Sequence, residues 1–151
     1  MCDFKEKYGD SFATVIDFMK KHYGANSDED WETLSRSVSP FEADIEVALV
    51  VAVLSEIERV YEAGLVGDYK MTADRRARDV DEKYRPMFVR VYRFAQTCYR
   101  ADLDSKADIE AVKAGYEYAK TYSPFEVEMA QGCYKIFFED RPVPGEVACQ
   151  Q

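Results

Sequence analysis

The sequence predicts an all-α protein, a compact single domain of about six helices arranged around a central buried helix. Three observations predict it. Apolar residues recur at three- and four-residue spacing along most of the chain. Ser, Thr or Asp stands at the head of these stretches, where the first backbone N–H groups of a helix need an acceptor. No two apolar stretches are joined by the tight-turn chemistry that a β-hairpin requires. With 151 residues, 47% hydrophobic and 32% charged, the chain can bury one real core and is too apolar to stay disordered, even at a formal charge of -9.

The first helix is predicted from about Asp10, with an earlier turn from Asp3, to Tyr23. Tyr8, Phe12, Val15, Ile16 and Met19 recur at helical spacing, and Gly24 follows. Lys20, Lys21 and His22 lie at its carboxyl end, where the helix dipole favours positive charge. After a short loop, Ser27 caps a second, short helix with an acidic first turn, Asp28, Glu29 and Asp30, which carries Trp31 and Leu34 and ends near Arg36.

Ser39-Pro40-Phe41-Glu42 has the form of a capping box with Pro at the first helical position, so a third helix is predicted from there to Ala63, with Gly64 as its stop. Its middle, Val47 to Leu54, is apolar on every side, which predicts the buried centre of the fold. The valines there admit a strand, but length and capping favour helix.

Leu65 to Met71 reads as a connection. A long helix then runs from Thr72 or Asp74 to about Arg100, kinked at Pro86, with Val80, Tyr84, Met87, Val91, Phe94 and Cys98 along one face. Ser105, with Asp108 three residues on, caps a fifth helix whose inner face is Ile109, Val112, Tyr116, Ala119 and Tyr122. A second Ser-Pro-Phe-Glu, Ser123 to Glu126, opens a sixth, with Phe125, Met129, Cys133, Ile136 and Phe137 inward. Gly115 and Gly132 inside these two helices predict that they cross closely. The domain spans 1–138, and 139–151, with Pro142, Pro144 and Gly145, is an extended C-terminal tail. The repeated four residues permit a duplicated helix pair, though convergent capping explains them more simply.

Charge is unevenly placed: residues 1–69, 70–100 and 101–151 carry -9, +5 and -5. The acidic majority opposes direct nucleic-acid binding and attracts a basic partner surface. Four cysteines, Cys2, Cys98, Cys133 and Cys149, show no C-x-x-C pair, and His22 is the only histidine, so no metal or cofactor is called for. The longest apolar run is far short of the ~20 residues of a membrane span. A cytoplasmic protein with reduced thiols is expected.

The acidic helix, Asp28, Glu29, Asp30, Trp31 and Glu32, is the predicted partner-binding site, since carboxylates steer a basic partner and tryptophan is enriched among binding hot spots. Trp31 has a plainer role open to it, covering the end of the core. Arg78, Arg85, Arg93 and Arg100 fall in one arc of the long helix, a candidate anion-binding row, with a solvated face as the alternative. No catalytic residue is assigned, because His22 has no nucleophile in a recognisable motif.

Three functions follow. The leading expectation is a non-enzymatic interaction module, an inhibitor or adaptor. In charge and size the chain is similar to phage-encoded inhibitors that mimic a phosphate backbone with carboxylates. A second is Mg²⁺-dependent phosphoester hydrolysis: Glu29-Asp-Trp-Glu32 resembles one half of the paired E-x-x-E and E-x-x-D signature of all-α nucleotide pyrophosphohydrolases. No E-x-x-D follows on the next long helix. A third is a helical pocket for an aromatic or apolar ligand, lined by the many tyrosines.

Overall fold

The computed structural model describes residues 3–66 and 71–140. Among them seven α-helices follow in order: α1 (Phe4–His22), α2 (Asp28–Ser37), α3 (Asp44–Glu62), α4 (Ala73–Lys83), α5 (Arg85–Arg100), α6 (Lys106–Ala119) and α7 (Pro124–Tyr134), the last continuing into a π-helical turn at Lys135–Glu139. No strand occurs among the described residues. None of the helices is long and apolar enough to cross a membrane. Residues 141–151, most of the predicted tail, and 67–70, within the predicted connection, lie outside the described residues, as do Cys2 and Cys149.

Local capping chemistry sets most of the helix starts. The side chains of Ser27, Thr72, Ser105 and Ser123 each accept from a backbone N–H three residues on, which satisfies one of the donors a helix start leaves open. Asp3 caps α1, so this helix begins at Phe4, a full turn and more before Asp10. At the other end of α3, Gly64 takes φ +71. Leu65 N–H then donates to the Val60 carbonyl at 3.2 Å, and Gly64 N–H to that of Tyr61 at 3.0 Å, which closes a Schellman motif.

Two Ser-Pro-Phe-Glu segments thus have different fates. The second opens α7 as expected. The first does not open α3: α2 runs on to Ser37, the Ser39 hydroxyl donates backward to the Arg36 carbonyl at 3.1 Å, and α3 starts only at Asp44, with no side-chain cap. Phe41 instead packs its ring edge-on against Phe18, 5.4 Å between centroids. Ser123→Ala should therefore cost about 1 kcal/mol, the usual worth of an N-cap, and Ser39→Ala only a few tenths. Urea unfolding of the two variants side by side checks the contrast; equal losses would contradict it.

The expected long kinked helix is divided at Tyr84 into α4 and α5. Pro86 has no N–H to donate, and its ring crowds the preceding turn. Helical bonding resumes at once, with Phe88 N–H donating to the Tyr84 carbonyl at 3.0 Å.

α3 was expected to be buried on every side. Its Ile45, Leu49, Val50, Ala52, Val53, Ile57 and Val60 are buried, but Val47 is 41% and Val51 53% exposed, because α1 and α7 cover only one side of it. The more enclosed helix is α7, which packs against α3, α5 and α6 and buries Phe125, Glu126, Met129, Ala130 and Cys133. The two internal glycines mark different crossings from the one expected: a Cβ on Gly132 would stand 3.1 Å from Ala48 Cβ of α3, and one on Gly115 3.1 Å from the Phe94 ring of α5.

Two partly buried polar features tie these helices together. Tyr84 donates to Glu56 Oε2 at 2.7 Å, while Arg59 donates to Glu56 Oε1 at 3.0 Å and to Glu128 at 2.8 Å, joining α3, the α4–α5 junction and α7. Arg90 of α5 donates twice to Glu126, from Nε at 2.8 Å and from Nη2 at 2.5 Å. Burial and the Glu56 hydrogen bond hold the Tyr84 phenol well above its ordinary range, so it remains a donor. Burial likewise keeps Cys133 a protonated, inert thiol.

Candidate functional site

The predicted partner-binding helix, α2, leans on the body of the protein by few contacts. Leu34 is its one buried side chain. Trp31 is half-buried and packs edge-on against Tyr61 of α3, with centroids 6.0 Å apart, so it covers part of the core's edge and leaves part of the indole exposed. Asp28, Glu29 and Glu32 are exposed, and among the described residues none of the three has an ion-pair partner. Asp30 is turned inward, its carboxylate accepting the Asn26 N–H at 3.2 Å.

Beside this acidic edge lies a polar cleft of about 260 Å³, formed where the end of α1, the start of α2 and the start of α4 meet. Lys21, His22 and Arg76 line it, opposed by Glu29, Asp30 and Thr33. Gly24 forms part of its wall with φ +85, and a Cβ there would come within 2.5 Å of the Met71 sulfur. Glycine is favoured there by its left-handed backbone, and any side chain would also have to displace that of Met71. Arg76 Nη1 donates to the Met71 carbonyl at 2.5 Å, while its Nε is buried with no acceptor among the described residues.

His22 is packed against Phe18, with 4.7 Å between ring centroids. Desolvation, reinforced by Lys21 and Arg76 and partly offset by Asp30, lowers its pKa. The folded state thus disfavours the imidazolium. Its contribution to stability is complete above the ordinary histidine pKa of about 6.5 and is lost as pH falls through that value toward the lowered one. Asp3 and Asp81, held low by hydrogen bonds to Arg100 and Lys20, lose their contributions only at more acid pH. Between pH 7 and 5 the urea midpoint should fall more for the parent protein than for His22→Gln. Parallel slopes would show that the ring is not desolvated.

The predicted arginine row does not form one anion-binding surface. Arg78 belongs to α4 and the others to α5, on either side of the break at Tyr84. Arg85 is paired with Asp81 at 3.0 Å, and Arg100 with Asp3. Arg78 and Arg93 are exposed. Among the described residues no group of three or more His, Cys, Asp or Glu stands close enough together to hold a metal ion, so the facing carboxylates required by the hydrolase expectation are not assembled there. The tyrosines are largely absorbed by packing: Tyr8, Tyr92 and Tyr99 surround Phe4 and Phe137. Tyr23 lines the polar cleft and Tyr92 an open groove of about 570 Å³ between α1 and α5.

Sequence reasoning found the acidic edge but not the cleft. Lys21 and His22 were legible as the basic end of one helix, separated by a short loop from the acidic start of the next. Arg76, some fifty residues further along, carries no local signal. No family model matches the chain, and no curated protein or solved structure matches it.

Proposed function

We propose that the protein is a non-enzymatic interaction module whose second helix offers carboxylates and a half-exposed indole to a basic partner surface. One observation carries the reading: Asp28, Glu29 and Glu32 stay exposed without an ion-pair partner among the described residues. Other acids of the chain are held in ion pairs, as at Asp3, Glu56, Asp79, Asp81, Glu126 and Glu128, whereas these three share one short helix beside an aromatic pair. The first-turn position of Asp28 and Glu29 is compatible with the helix dipole, so these two cost the fold little. Trp31 and Tyr61 beside them supply apolar area at low entropic cost.

The test compares the full chain with Asp28→Asn/Glu29→Gln/Glu32→Gln, which leaves Asp30 and the Ser27 cap in place. Proteins retained from the native host by the parent chain are identified by mass spectrometry, and the affinity of each is measured by calorimetry. Three partner-facing ion pairs at about 0.2–1 kcal/mol each predict about a tenfold loss of affinity in the variant. The parent's affinity should fall as salt is raised. A partner bound equally by both chains and insensitive to salt would contradict the assignment.

A further inference from the structure

We infer that the outward face of α3 is a docking strip for a basic amphipathic helix of a partner protein, an inference that rests on the reading of α2 as the partner-facing helix. At about 100° per residue, Asp44, Val47, Val51, Glu58 and Glu62 fall within an arc of about 60° on α3. All five are exposed. Val47 and Val51 form an apolar centre at i and i+4, and carboxylates stand at both ends. Asp44, Glu58 and Glu62 have no ion-pair partner among the described residues. The one cation of this helix, Arg59, is turned to Glu56 and Glu128.

β-Branched residues at exposed helical positions contribute nothing to the core and are poorer helix formers than the polar residues that commonly occupy such sites. A second helix laid along the strip would give them a partner, with the carboxylates meeting Lys or Arg on its flanks as e and g positions do in a coiled coil. From Val47 to Glu62 the strip is about 22 Å long, enough for about four turns. It is continuous with the α2 site, because Tyr61, at the edge of the strip and 45% exposed, touches Trp31. A second copy of the chain is a poorer occupant. At a formal charge of -9 the copies repel, and three of the four arginines of its most basic long helix, α5, are already in ion pairs.

The probe is a 15-residue amphipathic helical peptide of Leu and Lys, with a scrambled peptide of the same composition as control. Binding to the full chain is read by calorimetry and by the fluorescence of Trp31, the only tryptophan. The parent chain should bind the ordered peptide in preference to the scrambled one. Val47→Ser/Val51→Ser, two changes at exposed positions that remove the apolar centre without adding charge, should weaken it about tenfold, with circular dichroism of the variant checking that the helices are kept. Equal binding of the two peptides, or an unchanged affinity in the valine variant, overturns the strip. Self-association in sedimentation that the valine variant abolishes overturns it in favour of a second copy. The α2 variant separates the two readings: if it alone loses a captured partner, the strip falls and the α2 site stands. If only the valine variant loses peptide and partner, the strip stands and the α2 site falls.

Discussion

Replacing Phe4 by alanine should destabilise the protein by about 3–5 kcal/mol, a large share of the 5–15 kcal/mol that holds a typical domain folded. A residue at the first position of the first helix would ordinarily be expected to fray. Here it is fully buried and sits among Tyr8 and Tyr92 at 5.1 Å and Tyr99 and Phe137 at 5.4 Å between ring centroids. Those partners come from α1, α5 and the π-helical turn after α7, so one ring joins the beginning of the described chain to its end. Alanine removes the apolar transfer energy and leaves a cavity whose walls are themselves rings held by other rings, which limits collapse. The upper half of the range is therefore expected. Urea unfolding gives the loss, and Phe4→Leu, which refills most of the volume, should recover more than half of it. A loss under about 1 kcal/mol would mean that the start of α1 is frayed in solution and the aromatic cluster lacks its centre.

Burial of this kind was only half legible. Tyr8 and Phe12 announce a helical face, and the earlier turn expected from Asp3 includes Phe4, but most of what buries it lies some ninety and more residues away. The caps were readable for the opposite reason: Ser27, Thr72, Ser105 and Ser123 act on backbone groups three residues distant, so the chemistry is contained in the sequence window. Ser39 has the same window and a different outcome, because the preceding helix ends close enough for its carbonyl at Arg36 to compete for the hydroxyl. The exposed Val47 and Val51 mark the same limit. An all-apolar stretch shows that a helix can be covered on every side, while the number of neighbours that actually cover it is a property of the packing.

The candidate site divides along the same line. Asp28, Glu29 and Glu32 project from a helix whose cap and length are local matters, so their shared exposure was foreseeable. Whether a carboxylate finds a cation across the fold is not foreseeable, and the acids sort by that criterion. Glu56 carries no local signal, yet it holds Tyr84 and Arg59 together. Glu126 reads as half of a capping box, yet it is 2% exposed and faces Arg90. The acids left over once such pairs are formed are the ones available to a partner.

Arg90→Met should accordingly cost about 2–3 kcal/mol although it alters a side chain 43% exposed to solvent. The energy at stake belongs to the other member of the pair. Glu126 is enclosed between α5 and α7, where water cannot replace the two donors that Arg90 supplies. Its place in the first turn of α7 lets the helix dipole carry part of the burden, and the outer part of Arg90 is already solvated. The loss should therefore fall below the 3–5 kcal/mol seen when a fully buried pair is broken. Arg90→Met/Glu126→Leu removes the stranded charge together with its partner and should recover most of the stability, leaving a coupling of at least about 1 kcal/mol in the double-mutant cycle. Additive losses would show that the guanidinium serves only as packing over the Tyr122 ring, 5.4 Å from its carbon. In that case Glu126 must reach water when α5 and α7 breathe, and the tight seating of α7 among α3, α5 and α6 would be looser in solution than its burial implies.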